Sequence, residues 1–304
     1  MRWTELPQTV KEAIEQVLGS PVVAGVSQPG GFSNGVAERV HTAAGDAAFL
    51  KAISTQMNPG AAALNRTEAR IGAAFPLDAP VPHLLGHHDD GTWVVLIFED
   101  VDGRHPTLPW QEPDLTQVLE ALEVLADRLT PCPVAEVPDA LEALAAPLDG
   151  WSRIAEAPPV DLDPWITDRL PTLCRAAADG RAGLGGDTLV HFDLRADNIL
   201  IRDDGSVAVV DWPWACRGPA WLDALMLCAD VFVNGGHDLD GLLHRGVTGR
   251  ADPAVSEAVL VALAGYALDA SRLPAPPGMD RLRPFQRGKA DALLTWIRRQ
   301  PRFT

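Results

Sequence analysis

The segment LVHFDLRADNILIRDDGSVAVVDW, residues 189–212, constrains this chain more than any other. Two apolar, β-prone runs, ILIR (199–202) and VAVV (207–210), flank the turn DDGS. An Asp-Gly turn between such runs predicts a two-stranded hairpin. A hairpin brings its ends together. Asp193 and Asn198 lie ahead of its first strand and Asp211 follows its second, so the three can converge on a small volume. The surrounding sequence is helical in pattern, which makes this an embedded β element that a purely helical bundle would not contain.

The rest of the chain divides in two. PVVAGVS (21–27), GVAERVHT (35–42) and AAFLKAIS (47–54) read as a three-stranded meander, with the Gly-rich turn QPGGFSNG (28–35) after its first strand. GAAALNRTEARIGAAF (60–75) is composed of helix formers. HLLGHHDDGTWVVLIFEDV (83–101) predicts two strands around Asp-Asp-Gly. Beyond Val101 the period changes. Leu115, Val118, Leu119, Leu122, Leu125 and Leu129 share one helical face. Residues 163–180, 219–233, 252–270 and 285–300 also read as helices, with Pro171 a potential break in the first. The fold expected is therefore α+β: a small β-rich N-lobe (1–101) and a larger helical C-lobe (102–304), joined near 97–103.

Composition narrows the functional classes. The 304 residues carry 25 Lys plus Arg against 41 Asp plus Glu, a net charge of −16. So acidic a chain is a poor nucleic-acid ligand, while its field would favour a cationic small molecule. No uninterrupted apolar run is long enough to span a bilayer, and the N-terminal residues lack the pattern of a secretory signal. We therefore expect a cytoplasmic protein with neither a membrane nor a nucleic-acid partner, as a monomer or homodimer. Its four cysteines form no CxxC pair, so they are read as buried or incidental thiols.

Phosphoryl transfer requires the residue types found at the ends of the hairpin. One carboxylate orients an acceptor hydroxyl and takes its proton. A second carboxylate and an amide oxygen hold Mg²⁺ against the phosphates. Any one of Asp193, Asn198 and Asp211 alone would be read as capping a loop. Their joint spacing, with His191 two residues before Asp193 and Trp-Pro directly after Asp211, points to the chemistry. His191 is read as a brace for the loop.

HFDLRADN and the following DW resemble the catalytic loop and metal-binding Asp of the aminoglycoside phosphotransferase family, a group that includes choline kinases and shares the bilobal protein-kinase-like fold. The resemblance implies that Asp193 is the catalytic base and that Asn198 and Asp211 are Mg²⁺ ligands. It also implies a cation for the nucleotide phosphates on the third strand. The chain has only three lysines, Lys11, Lys51 and Lys289, and Lys51 lies in that strand. Glu68 on the following helix would be its partner, with Arg66 and Arg70 as competitors. Ser33 and the backbone of the Gly turn would meet the phosphates. The Glu99 carbonyl and Val101 amide would bond the purine. ATP is the donor implied, with GTP the alternative.

Three positions depart from the family pattern. Phe192 replaces Gly, Arg195 replaces His, and Pro213 replaces an acidic residue. Arg195 either contacts the transferred phosphate or pairs with Asp197 or Asp203. Asp223 is read as a second brace for the catalytic loop. Asp230, Asp238 and Asp240 are candidates to hold a cationic acceptor, with Trp151, Trp165, Trp214 and Trp221 as apolar walls. Three functions stay open: phosphorylation of an antibiotic hydroxyl (an aminoglycoside, another cationic drug or a macrolide), the same reaction on a metabolite such as an amino alcohol or sugar, or nucleotide binding without catalysis.

Overall fold

The computed structural model describes residues 1–28, 35–276 and 279–304. In chain order the principal elements are α1 (Gln8–Leu18), β1 (Val22–Ser27), β2 (Val36–Thr42), β3 (Ala47–Ser54), α2 (Pro59–Gly72), β4 (Leu84–Asp89) and β5 (Trp93–Glu99). There follow α3 (Glu112–Arg128), α4 (Ala140–Ala143), α5 (Gly150–Glu156), α6 (Pro164–Ala182), β6 (Thr188–Val190), β7 (Ile199–Ile201), β8 (Val207–Val209) and β9 (Cys216–Gly218). The chain ends with α7 (Leu222–Asn234), α8 (Leu239–Leu242), α9 (Pro253–Ser271) and α10 (Leu282–Ile297). The fold is α+β, an antiparallel sheet followed by a helical part, as the hydrophobic periods predict.

Two compact units contain these elements: residues 1–106 with 197–215, and residues 107–196 with 216–304. In the first, a five-stranded antiparallel sheet has the order β1-β2-β3-β5-β4. Successive side chains of a strand face opposite ways, and both faces of β5 are covered. Val95 and Ile97 pack with Ala48, Leu50 and Ala52 of β3 against Val10 and Ile14 of α1. Val94 packs with Ile53 beneath Ala62 of α2, and Leu96 and Phe98 pack with Ala69. Two-sided burial explains the nearly continuous apolar run in β5. Asn58 caps α2, its side chain accepting from the Ala61 amide at 3.0 Å.

The hairpin β7–β8 joins this first unit. Ile201 pairs with Arg104 through reciprocal backbone bonds of 3.0 and 2.8 Å, and the Val209 amide donates to the Pro80 carbonyl at 2.9 Å. Its strands are in register from Ile199↔Val209 to Ile201↔Val207.

The second unit is built around α9, whose residues from Ala258 to Ala264 are all buried. This helix is long and apolar enough to cross a bilayer, which the count of uninterrupted apolar residues did not anticipate. Most of it is enclosed by protein, so it is the unit's core helix. Where α9 passes α5, Gly265 leaves room for the Trp151 indole, whose Nε1 donates to the Val261 carbonyl at 2.7 Å. Helix α6 runs through Pro171 without a break, since a proline removes only one hydrogen bond of a long helix. All four cysteines are free, and burial pushes the Cys228 thiol up to about 11.

Candidate active site

Lys51, Glu68 and Asp211 meet in the first unit. On β3, Ala48, Leu50 and Ala52 face α1, so the alternate residues Phe49, Lys51 and Ile53 face α2. That face carries Glu68. The Lys51 ammonium donates to both Glu68 carboxylate oxygens, at 2.7 and 2.8 Å. It also donates to Asp211 Oδ1 at 2.6 Å and lies 5.8 Å from the Phe98 ring centroid. Burial alone would lower the lysine pKa; the two carboxylates outweigh it and raise it above the ordinary value. Lys51 is thus held charged. Arg66 does not compete for Glu68. It forms a two-pronged pair with Asp89, at 2.7 and 3.0 Å.

The backbone around Asp211 is anchored by the next residue. The buried Trp212 donates from its amide to Glu68 Oε1 at 3.2 Å and from its indole to the Val209 carbonyl at 2.9 Å. Its ring stands edge-on to Phe75. Glu68 therefore holds both the lysine and the segment that presents Asp211. Asp211 sits at φ 70°, left-handed backbone that a non-glycine residue rarely adopts. Among the described residues the only other non-glycine with positive φ is Phe192, at 66°. Asn198 ends a short 3-10 turn just before β7, and its carbonyl accepts from the Val210 amide at 3.0 Å.

The Asp193 loop belongs to the second unit, and two carboxylates of α7 hold it. Asp223 accepts from the His191 and Phe192 amides at 2.8 and 2.9 Å. Asp230, two helical turns further along the same face, accepts from the Ala196 amide and the Trp110 indole, both at 3.2 Å. The fully buried His191 accepts from the Asp193 amide at Nδ1, 3.2 Å away. Arg195 donates to Asp193 Oδ1 at 3.3 Å. Removing the Asp223 carboxylate would leave two amides without their acceptor. Asp223→Ala is expected to lose about 2–3 kcal/mol of stability, read as a lower urea midpoint at unchanged m-value.

A family model described as the phosphotransferase enzyme family (APH) matches residues 27–258. The chain belongs to this family. A search of curated proteins gives no match. Solved structures share the fold at low identity. An aminoglycoside phosphotransferase from Alicyclobacillus acidocaldarius subsp. acidocaldarius DSM 446 is 18% identical over 92% of each chain, with TM-score 0.53. A choline/ethanolamine kinase family protein from Mesorhizobium loti is 18% identical over 97% of each chain, with TM-score 0.60. Spectinomycin phosphotransferase, APH(9)-Ia, in complex with ADP and spectinomycin, is 11% identical, with TM-score 0.58, over 98% of this chain and 96% of that one.

Membership of the phosphotransferase family gives the remaining positions a frame. Phe192 stands where the family usually has Gly, and its positive φ explains why Gly suits the position. Val101, past the end of β5, is buried, and its N–H makes no hydrogen bond with any described residue. Glu99 closes β5, its own amide bonded to the His83 carbonyl at 2.8 Å. Ser33 and most of the Gly turn lie outside the described residues.

The proposed acceptor carboxylates are differently placed. Asp230 is buried and engaged as described above. Asp240 accepts from the Trp296 indole at 2.7 Å. Asp238 precedes α8, exposed, with Arg299 at 4.0 Å. Of the four tryptophans, Trp151 is buried and Trp214 exposed, with Trp165 and Trp221 between. Sequence reasoning missed Lys289, which it noted only as one of three lysines. The ammonium of this residue on α10 lies within electrostatic reach of Asp193.

Proposed function

We propose that this phosphotransferase moves the γ-phosphate of ATP to a hydroxyl of a small molecule, with Asp193 as its base. The acceptor oxygen forms a bond to the γ-phosphorus as the bond to the β,γ-bridging oxygen breaks. ADP leaves, and the hydroxyl proton passes to the Asp193 carboxylate. Lys51, held charged by Glu68, contacts the α- and β-phosphates, and Ser33 approaches them from the Gly turn. The Glu99 carbonyl and Val101 amide receive the purine. The observation that carries this reading is the convergence of Lys51, Glu68 and Asp211, 160 residues apart at the extremes, on one charged cluster.

Asp211 and Asn198 fit a magnesium ion, because a carboxylate and an amide carbonyl are hard oxygen donors. Among the described residues no group of three or more His, Cys, Asp or Glu could hold a metal. A metal here would complete its shell with phosphate oxygens and water, the usual arrangement for Mg²⁺. Bound there, it would neutralise phosphate charge. Asp211→Ala is expected to weaken the Mg²⁺-dependent part of AMP-PNP binding at least about 10-fold. Calorimetric titrations with and without Mg²⁺ measure this; an unchanged Mg²⁺ dependence would remove Asp211 from the role.

For the acceptor, the resemblance to both an antibiotic phosphotransferase and a choline/ethanolamine kinase family protein supports two classes. We favour an antibiotic hydroxyl, with a metabolite such as an amino alcohol or sugar second. A cytoplasmic location would give the enzyme its ATP. The intact set Lys51, Glu68, Asp193, Asn198 and Asp211 argues against a module that only binds nucleotide. The deciding experiment is mass-spectrometric detection of phosphate gain across aminoglycosides, macrolides, peptide antibiotics, amino alcohols and sugars, with Asp193→Ala as the blank. A product in the blank as well would sink the reading of Asp193 as base.

A further inference from the structure

The second unit holds a cation that its own carboxylates do not pair. Lys289 lies on α10 and is half-buried. Among the described residues its ammonium makes no hydrogen bond and no ion pair. Its electrostatic neighbours are Asp193, Asp230 and Arg195. Two of these are already engaged elsewhere: Asp230 by Trp110 and the Ala196 amide, and Asp193 by Arg195. A half-buried charge without a partner is unfavourable. Burial, together with the Arg195 charge, lowers the Lys289 pKa against the pull of both carboxylates. The Lys289 ammonium is therefore without a direct counter-ion, although the protein as a whole carries −16.

A second contact ties Lys289 to Arg195. The Arg195 guanidinium lies 5.7 Å from the centroid of the Phe285 ring. Phe285 is one turn before Lys289 on α10, so both residues present to the same side of the helix. One helical face thus brings a guanidinium and an ammonium to the carboxylate proposed as the base.

We propose that Lys289 and Arg195 bind an oxyanion beside Asp193, and that this oxyanion is a carboxylate or phosphate carried by the acceptor. This inference rests on Asp193 being the base. It turns the expected acceptor away from the cationic aminoglycosides, macrolides and amino alcohols, towards hydroxylated compounds that are anionic near the reacting hydroxyl. Such a group would otherwise be repelled by Asp193. The two cations would offset the repulsion and orient the hydroxyl. Two of the three acidic residues first considered for a cationic acceptor, Asp230 and Asp240, are already engaged by tryptophan indoles.

Inorganic phosphate serves as the probe, with chloride at matched ionic strength as control. Thermal unfolding is followed for the full chain and for Lys289→Met and Lys289→Arg, each with and without saturating Mg²⁺–AMP-PNP. Phosphate is expected to raise the wild-type Tm by on the order of 5 °C at concentrations about 100-fold above its dissociation constant. The rise should persist with the nucleotide bound, vanish in Lys289→Met and return in Lys289→Arg. Without phosphate, Lys289→Met should melt no lower than wild type, since methionine fills the space without a charge. A phosphate shift that disappears once AMP-PNP is bound would assign the cations to the transferred phosphate and overturn the acceptor assignment. No shift in wild type, or an equal shift in Lys289→Met, would overturn the site itself. Failure of Mg²⁺–AMP-PNP to stabilise the wild-type chain would instead sink the kinase reading, and the nucleotide-free arms would still report on Lys289.

Discussion

Alanine at Asp193 is expected to lower kcat by about 10²–10⁴-fold, the range contributed by a positioned general base, while ATP analogues bind as before. The two effects separate because Asp193 belongs to the second unit, whereas Lys51, Glu68 and Asp211 belong to the first. Loss of the side chain should not unfold the protein. Asp193 is part-exposed, and the loop that carries it is held through backbone amides by Asp223, Asp230 and His191. Its contact with Arg195 is long, at 3.3 Å, so its loss costs about 1 kcal/mol. Single-turnover kinetics on the first active acceptor, together with a nucleotide titration and a melting curve, measure all three quantities. Loss of nucleotide binding together with turnover would show that Asp193 has some other role.

The second large effect is at Lys51. Methionine there removes the cation that reaches Glu68 and Asp211 at once, and kcat/KM for ATP should fall by about 10²–10³-fold, as for a lost charge-stabilising donor. Stability should suffer too. Glu68 is buried, and a buried carboxylate stripped of its partner is destabilising by about 3–5 kcal/mol. The two losses are separable. Lys51→Met with Glu68→Gln replaces a broken ion pair by a neutral one, with an amide in place of a carboxylate, and should recover most of the stability. Activity should stay low. Urea midpoints for the single and double variants, set beside their ATP kinetics, test the pairing. Recovery of activity in the double variant would mean that another cation serves the phosphates.

Much of this arrangement could be read from residue order, for identifiable reasons. Strand β3 occupies 47–54 as expected, because alternating burial and a charged residue amid apolar neighbours leave little freedom in register. Glu68 and Lys51 could be paired on paper, because a helix following a strand packs on it and one face of each is apolar. Helix α1 went unrecognised. Its buried residues, Val10 and Ile14, are only two, set among charged positions. The pair β6–β9 has three residues per strand, too few for a period to register. Positive φ at Asp211 had no signal, because the residue is not glycine, and at Phe192 the only signal was the glycine usual there in the family. Asp230 and Asp240 read as candidates to hold a cationic acceptor, and only three-dimensional packing reveals the tryptophan indoles that donate to them. Lys289 was obscure for the converse reason. Its significance lies in partners it lacks.

The excursion of the chain at 197–215 has a consequence for biosynthesis. The first unit is discontinuous: residues 1–106 are completed by a hairpin encoded almost a hundred codons later. A ribosome that has released the sheet has not yet made Asn198 or Asp211, so Lys51 and Glu68 emerge well before the third member of their charged cluster. Domains that are continuous in sequence can fold during synthesis from the N-terminus onward. Here the first unit must wait for about half of the second, and a fragment ending anywhere before residue 211 would retain the lysine without the carboxylate that completes its cluster. Such a truncation product lacks the hairpin that completes its first unit, and an incompletely folded chain is a ready substrate for quality-control proteases.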